Sequence, residues 1–152
     1  MVKKLKPELY HRTVMLFSKT SDQTSKVIEE LKELKEALAS KNREHILEEL
    51  ADVENVIPYI ILMYCPKERI EVSYTGRYDY NVICDIICML LSMMHDLRYN
   101  PHVYRSLTGM LRLLAESLYC IYIDYELQPS DVDEIIDAKR MRTLGKKFKE
   151  MI

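Results

Sequence analysis

Four carboxylates fall in two matched pairs, Glu30 with Glu33 and Glu49 with Asp52. Each pair is spaced i, i+3, so on a helix both members project from one face. A short polar break, Ser40 to Asn42, separates the pairs. Helices joined by so short a connection pack antiparallel, and residues equally far from the turn then lie at one level. Glu33 stands eight residues before position 41 and Glu49 eight after it. The two pairs can therefore meet across the hairpin. Four carboxylates brought together repel one another unless cations intervene. Mg²⁺, a hard ion that prefers oxygen ligands, is the expected cation, with Mn²⁺ as a substitute, and facing helices of a bundle can supply its ligands. A plainer explanation also exists, because acids early in a helix complement its dipole, and that alone accounts for Glu44 to Glu49. Against it, Glu44, Glu48, Glu49, Asp52 and Glu54 stand between Asn42 and Met63 beside Arg43 as the single Lys or Arg. A solvated face would intersperse lysines at i,i+4.

Other polar residues fall on the same stripes. Gln23, Lys26, Glu30 and Glu33 follow i, i+3, i+7, i+10, and Asn55 stands three after Asp52. Lys26 either meets a phosphate or forms an i,i+4 salt bridge to Glu30. Asn55 is placed to orient a ligand, and Gln23 serves either a ligand or a helix cap.

These residues need helices to position them. Tyr10, Val14 and Phe17 have helical spacing within a first segment from about Pro7 to Ser18. Thr20 and Gln23 have the spacing of a capping box that opens a second helix to about Ala39, with Val27, Leu31, Leu34 and Leu38 as its apolar stripe. Asn42 caps a third helix to about Met63, whose buried face uses Ile46, Leu50, Val53, Ile57 and Ile60, with a bend expected at Pro58. Residues 65–79 read as irregular, with a short hairpin arm as one reading of the β-leaning run Ile70 to Tyr74. An apolar helix from Tyr80 to Arg98 follows, then a stop and restart at Asn100-Pro101 and a helix to about Tyr125. Pro129-Ser130 opens a last helix with Asp133 at the capping-box position. The expected architecture is an all-α helical bundle in one domain spanning 1–152, with an extra segment at about 65–117 that includes an inserted helical hairpin.

Composition agrees. Three glycines, five prolines and no tryptophan among 152 residues suit helices, and 48% hydrophobic with 30% charged residues suits a folded globular chain. A net charge of −2 argues against a generic nucleic-acid binder. Asp85, His95 and Glu116 interrupt the longest apolar runs, so no membrane span is expected. Cys65, Cys84, Cys88 and Cys120 form no C-x-x-C pair. Cys84 and Cys88, four apart in an apolar run, read as buried thiols. Nothing near Met1 resembles a signal peptide, so a reducing cytoplasm is the expected setting, that of the host if the chain is viral.

Glu29-Glu30-Leu31-Lys32-Glu33-Leu34 followed by Glu49-Leu50-Ala51-Asp52-Val53 resembles the E-x-x-E and E-x-x-D signature of the MazG-like all-α NTP pyrophosphatases. His11-Arg12-Thr13 through Phe17, then Gln23 and Lys26, is similar to the approach in compact phage-type members. Ile136, Lys139, Arg142 and Thr143 resemble their C-terminal I-x-x-K-x-x-R-T ending. The match covers about Leu5 to Met63 and Leu118 to Phe148, and the stretch between departs from the compact pattern. The resemblance implies a helical bundle, a homodimer or dimer-built tetramer, that converts a nucleoside triphosphate to monophosphate plus pyrophosphate. It implies Glu30, Glu33, Glu49 and Asp52 as metal ligands, and Glu33 as the group that orients or deprotonates water. Lys139 and Arg142 would neutralise phosphate charge, within one chain or across a subunit boundary. Similarity to phage-type members favours a deoxynucleotide and a role in nucleotide-pool control, with no nucleic-acid or membrane partner.

The chemistry suits those roles, since clustered Mg²⁺ lowers the pKa of water and clamps phosphate oxygens. Lys139, Arg142 and Lys146 form an i, i+3, i+7 basic stripe, which is either a phosphate site or a solvated helix end. Tyr10, His11 and Phe17 either stack on a base or belong to the core. Two rivals stand beside this reading. A non-catalytic helical interaction or regulatory module would keep the bundle without turnover. His95-Asp96 is the dipeptide of HD-type metal phosphohydrolases, although His95 at a helix end reads first as a C-terminal cap. No P-loop or H-E-x-x-H motif occurs.

Overall fold

Two amphipathic helices joined by a tight turn form the centre of the molecule. A computed structural model describes residues 3–67, 70–72, 78–97 and 104–151. In chain order its elements are β1 (Lys3–Leu5), α1 (Leu9–Met15), α2 (Thr20–Ser40), α3 (Arg43–Tyr64), β2 (Ile70–Val72), α4 (Tyr80–Leu97), α5 (Tyr104–Asp124) and α6 (Pro129–Met151). The architecture is an all-α bundle carrying one two-stranded antiparallel ladder.

The α2–α3 turn is made by three residues with separate tasks. Lys41 takes the left-handed conformation (φ 56°) that ends α2. Ser40 Oγ donates to the Ala37 carbonyl and accepts from Asn42 N–H, which holds the chain there without a glycine. Asn42 Oδ1 accepts from His45 N–H at 3.1 Å and caps α3, as its sequence position suggests. Arg43 then donates to the carbonyls of Tyr125 and Glu126, tying this turn to the α5–α6 connection. The start of α2 differs from expectation. Lys19 is the N-cap and makes no side-chain cap bond, so Thr20 lies inside the helix and its spacing to Gln23 is not a capping box.

Val27, Leu31, Leu34 and Leu38 of α2 are buried, as are Ile46, Leu50, Val53, Ile57 and Ile60 of α3. From Val53 to Ile61 every residue of α3 is buried. Such all-round burial marks a central helix. It continues through Pro58 to Tyr64, with α2, α1, α6 and β1 packed around it.

The run Ile70–Val72 does form a strand, but not a local hairpin. It pairs with β1 in the register Lys3↔Val72, Lys4↔Glu71, Leu5↔Ile70. Buried Leu5 and Ile70 explain the choice of partner, because the long-range pair covers core that a local arm would leave bare. Tyr74 lies outside the described residues. The ladder also places Lys3 Nζ 2.5 Å from Glu54 and 2.6 Å from Asp133. Tyr122 OH donates to the other Glu54 oxygen at 2.5 Å. Glu54 is thus a paired core carboxylate, and Asp133 binds Lys3 in place of the expected cap, since α6 already begins at Pro129.

The α4 and α5 hairpin extends the core: α4 packs on α2, and α5 packs on α4 and β2. The Asn100-Pro101 boundary lies outside the described residues. Ile83, Ile86, Ile87, Leu90 and Met94 form the buried face of α4. Cys84 and Cys88 fall beside that stripe, so Cys84 is half-buried and Cys88 exposed, contrary to the expectation of two buried thiols. Cys65 and Cys120 are buried. No helix of the described residues is long and apolar enough to cross a membrane.

Candidate metal centre and adjoining cleft

The level-matching inferred from the hairpin is realised. Glu30, Glu33, Glu49 and Asp52 each offer an oxygen, and these four oxygens lie within 4.8 Å of one another. Among the described residues no other group of three or more His, Cys, Asp or Glu side chains converges in this way. The HD dipeptide, His95-Asp96, lies apart from this group, exposed near the end of α4.

The cluster strains against its own charge. Burial, together with the charges of Asp52 and Glu33, pushes the Glu30 carboxyl up to about 7, against the relief that Lys26 provides. Burial and then the adjoining Glu49 raise Glu33, and burial with the charges of Asp52 and Glu30 raises Glu49. Neighbouring side chains answer only part of this. Lys26 Nζ lies 3.1 Å from Glu30 Oε1, His45 Nε2 lies 3.7 Å from Glu49 Oε1, and Lys139 donates to Asp52 Oδ1. Glu30 Oε2 and Glu49 Oε2 are buried with no hydrogen-bond partner among the described residues. A buried acceptor left so costs about 1–3 kcal/mol, more if charged. All-oxygen donors, excess negative charge and two orphaned buried oxygens fit a hard dication.

A cleft of about 560 Å³ opens beside this cluster and is lined by residues of α1, α2, α3 and α6 and of the segment joining α1 to α2. Its lining includes Gln23, Lys26, Glu30, Asp52, Asn55, Lys139, Arg142 and Lys146. Every polar ligand-contact candidate from the sequence therefore lines one cavity of one chain, while Glu33 and Glu49 complete the carboxylate cluster at its edge. Lys26 forms the i,i+4 pair with Glu30 and also lines the cleft. Gln23 lines the cleft, because the cap belongs to Lys19. None of the described lining comes from α4 or α5.

The other end of the cleft is aromatic. Tyr10 and Tyr59 line it with ring centroids 6.3 Å apart, beside Val14 and Val56. His11 sits behind them, fully buried. Its Nδ1 accepts from Glu8 N–H at 3.1 Å, and its Nε2–H donates to the Asn55 carbonyl at 2.9 Å. Burial lowers its pKa to about 4, so the ring is neutral at pH 7. Phe17 is exposed and absent from the lining.

Sequence reasoning missed Tyr59 and Arg140. Tyr59 stands seven after Asp52, on the same α3 stripe, and that spacing could have found it. Arg140 stacks over the Tyr10 ring at 5.0 Å and donates from Nε to Asn55 Oδ1 at 2.9 Å. Its basic neighbours Lys139 and Arg142 gave no hint that it faces another way. No family model matches the chain, nor does any curated protein or solved structure.

Proposed function

We propose that this protein hydrolyses a nucleoside triphosphate, preferentially a deoxynucleoside triphosphate, to the monophosphate and pyrophosphate, for nucleotide-pool control. The observation that carries the reading is the convergence of four carboxylate oxygens within 4.8 Å at the edge of a cleft with a basic flank and an aromatic end. The resemblance to MazG-like pyrophosphatases supplies the reaction class, and with it a dimer or dimer-built tetramer. Glu30, Glu33, Glu49 and Asp52 would hold Mg²⁺, or Mn²⁺ in its place. When bound, such ions acidify water and neutralise phosphate oxygens.

The chain's own groups divide the rest of the work. Lys26, Lys139, Arg142 and Lys146 supply cationic donors for the triphosphate. Lys139 pairs with Asp52 and lines the cleft, so it would hold both the carboxylate cluster and a phosphate oxygen. Glu33 orients the attacking water and takes its proton. Tyr10 and Tyr59 offer faces and edges to the base. Water then adds across the α–β phosphoanhydride, and pyrophosphate leaves. The test is a panel of the four common NTPs and four dNTPs with Mg²⁺, scored for monophosphate and pyrophosphate. Turnover of dNTPs that EDTA abolishes is expected, and release of single orthophosphate would refute the bond of cleavage.

A further inference from the structure

Asn55 is an unusual residue for the middle of a buried helix, and it is gripped from two sides by one residue's contacts. Glu8 N–H binds His11 Nδ1, and His11 Nε2–H binds the Asn55 backbone carbonyl. The Glu8 carboxylate binds Arg140 at 2.5 Å, and Arg140 Nε binds Asn55 Oδ1 at 2.9 Å. Arginine carries donors and no acceptor, so the amide oxygen must face Arg140. The orientation of the amide is therefore settled by chemistry. Its Nδ2 is the opposite end, and no hydrogen bond from Nδ2 to a described residue occurs.

Arg140 and Glu8 line a second cavity, whereas Asn55 itself lines the main cleft. With Oδ1 engaged by Arg140, Nδ2 is the amide group left to donate to what the cleft holds. The height of that donor is also set. Asn55 lies one turn past Asp52 along α3, about 4.5 Å, and Tyr59 about 10.5 Å. Side chains lean towards the helix N-terminus, which brings the amide back towards Asp52. In a nucleotide whose phosphates sit at the carboxylates and whose base reaches the tyrosines, the group at the intermediate level is the sugar.

The geometry points to Asn55 as a specificity-determining residue that donates through Nδ2 to the 3′-hydroxyl oxygen of the bound nucleotide, with Arg140, held by Glu8, as its positioning residue. This rests on the nucleotide reading above, and names the part of the substrate that the site reads between phosphate and base. A hydroxyl is an acceptor for that donor, and a sugar lacking it leaves the amide unpaired in a half-enclosed site.

Binding separates this inference from the reaction. The probes are the four α,β-imido-dNTPs, which resist cleavage at the bond in question, and their 3′-deoxy counterparts, titrated calorimetrically with Mg²⁺. Wild type is expected to bind the 3′-deoxy forms about tenfold more weakly. Asn55→Ala and Arg140→Met are expected to bring that ratio close to one. A fold defect would weaken both ligands together and leave the ratio intact, so the ratio isolates positioning from structure. Equal affinity of wild type for both sugars, or a ratio preserved in Asn55→Ala, overturns this inference while leaving the hydrolase reading standing. Failure of every imido-dNTP to bind overturns both.

Discussion

Replacing Glu30 by Gln should stabilise the metal-free protein and remove its response to Mg²⁺. Glu30 is 4% exposed, and its carboxyl is raised from 4.5 to about 7 by burial and by Asp52 and Glu33, with Lys26 opposing. A folded-state pKa above the unfolded value means that ionising Glu30 works against the fold. The loss begins as pH rises past 4.5 and is complete above about 7. At about 1.4 kcal/mol per pKa unit, this amounts to about 3 kcal/mol. Glu30→Gln carries no charge at any pH, so at pH 8 without metal it should melt roughly 6–12 °C above wild type. At pH 4, below both the unfolded and the folded value, the two should melt nearly together. Mg²⁺ at a hundred times its Kd adds about 2.7 kcal/mol to a protein that binds it only when folded. That gain should appear in wild type and vanish in the variant. Differential scanning fluorimetry at both pH values, with and without Mg²⁺, reads all four states. A variant less stable than wild type at pH 8, or an equal Mg²⁺ shift in both proteins, would overturn this role for Glu30.

Protonation of His11 runs the other way. Its pKa is lowered from 6.5 to about 4, mainly by burial, so the unfolded chain takes the proton first, and stability drains away as pH falls from 6.5 to about 4. The total is about 3 kcal/mol, and a denaturation series should show that His11→Gln removes this component of the slope. Lys139→Met removes the cation that occupies Asp52, so calorimetry should find Mg²⁺ binding without nucleotide tightened, while KM for the triphosphate rises about tenfold. Leu50 is fully buried between α2 and α3, and Leu50→Ala should cost about 2–5 kcal/mol by urea denaturation with an unchanged m-value.

The central hairpin was legible because its information is local. Leu31, Leu34 and Leu38 facing Ile46, Leu50 and Val53 follow from period 3.6, and a three-residue break leaves little choice but antiparallel packing. Counting outward from that break was enough to bring Glu33 and Glu49 to one level, and the oxygens did converge. What stayed hidden depends on partners distant in the chain. The pairing of Lys3–Leu5 with Ile70–Val72 joins strands of three residues each, too short to show alternation. Cys84 and Cys88 misled because α4 is apolar on more than one side, and only the position of α2 and α5 decides which side is covered. Arg140 was unreadable for a similar reason. Its partners, Glu8, Tyr10 and Asn55, lie on or beside α1 and on α3, and no spacing within α6 announces them. Glu54 looked like one more acid of an unbalanced helix until Lys3 and Tyr122 accounted for its charge.

The role proposed for the carboxylate cluster is cleavage between the α and β phosphates. Phosphorus NMR of a dNTP incubated with the protein tests it most directly, in Mg²⁺, in EDTA, and with Asp52→Asn in Mg²⁺. Wild type with Mg²⁺ should give equal amounts of deoxynucleoside monophosphate and pyrophosphate, and the other two samples should keep the triphosphate unchanged. Orthophosphate with a diphosphate, or full activity of Asp52→Asn, would contradict it.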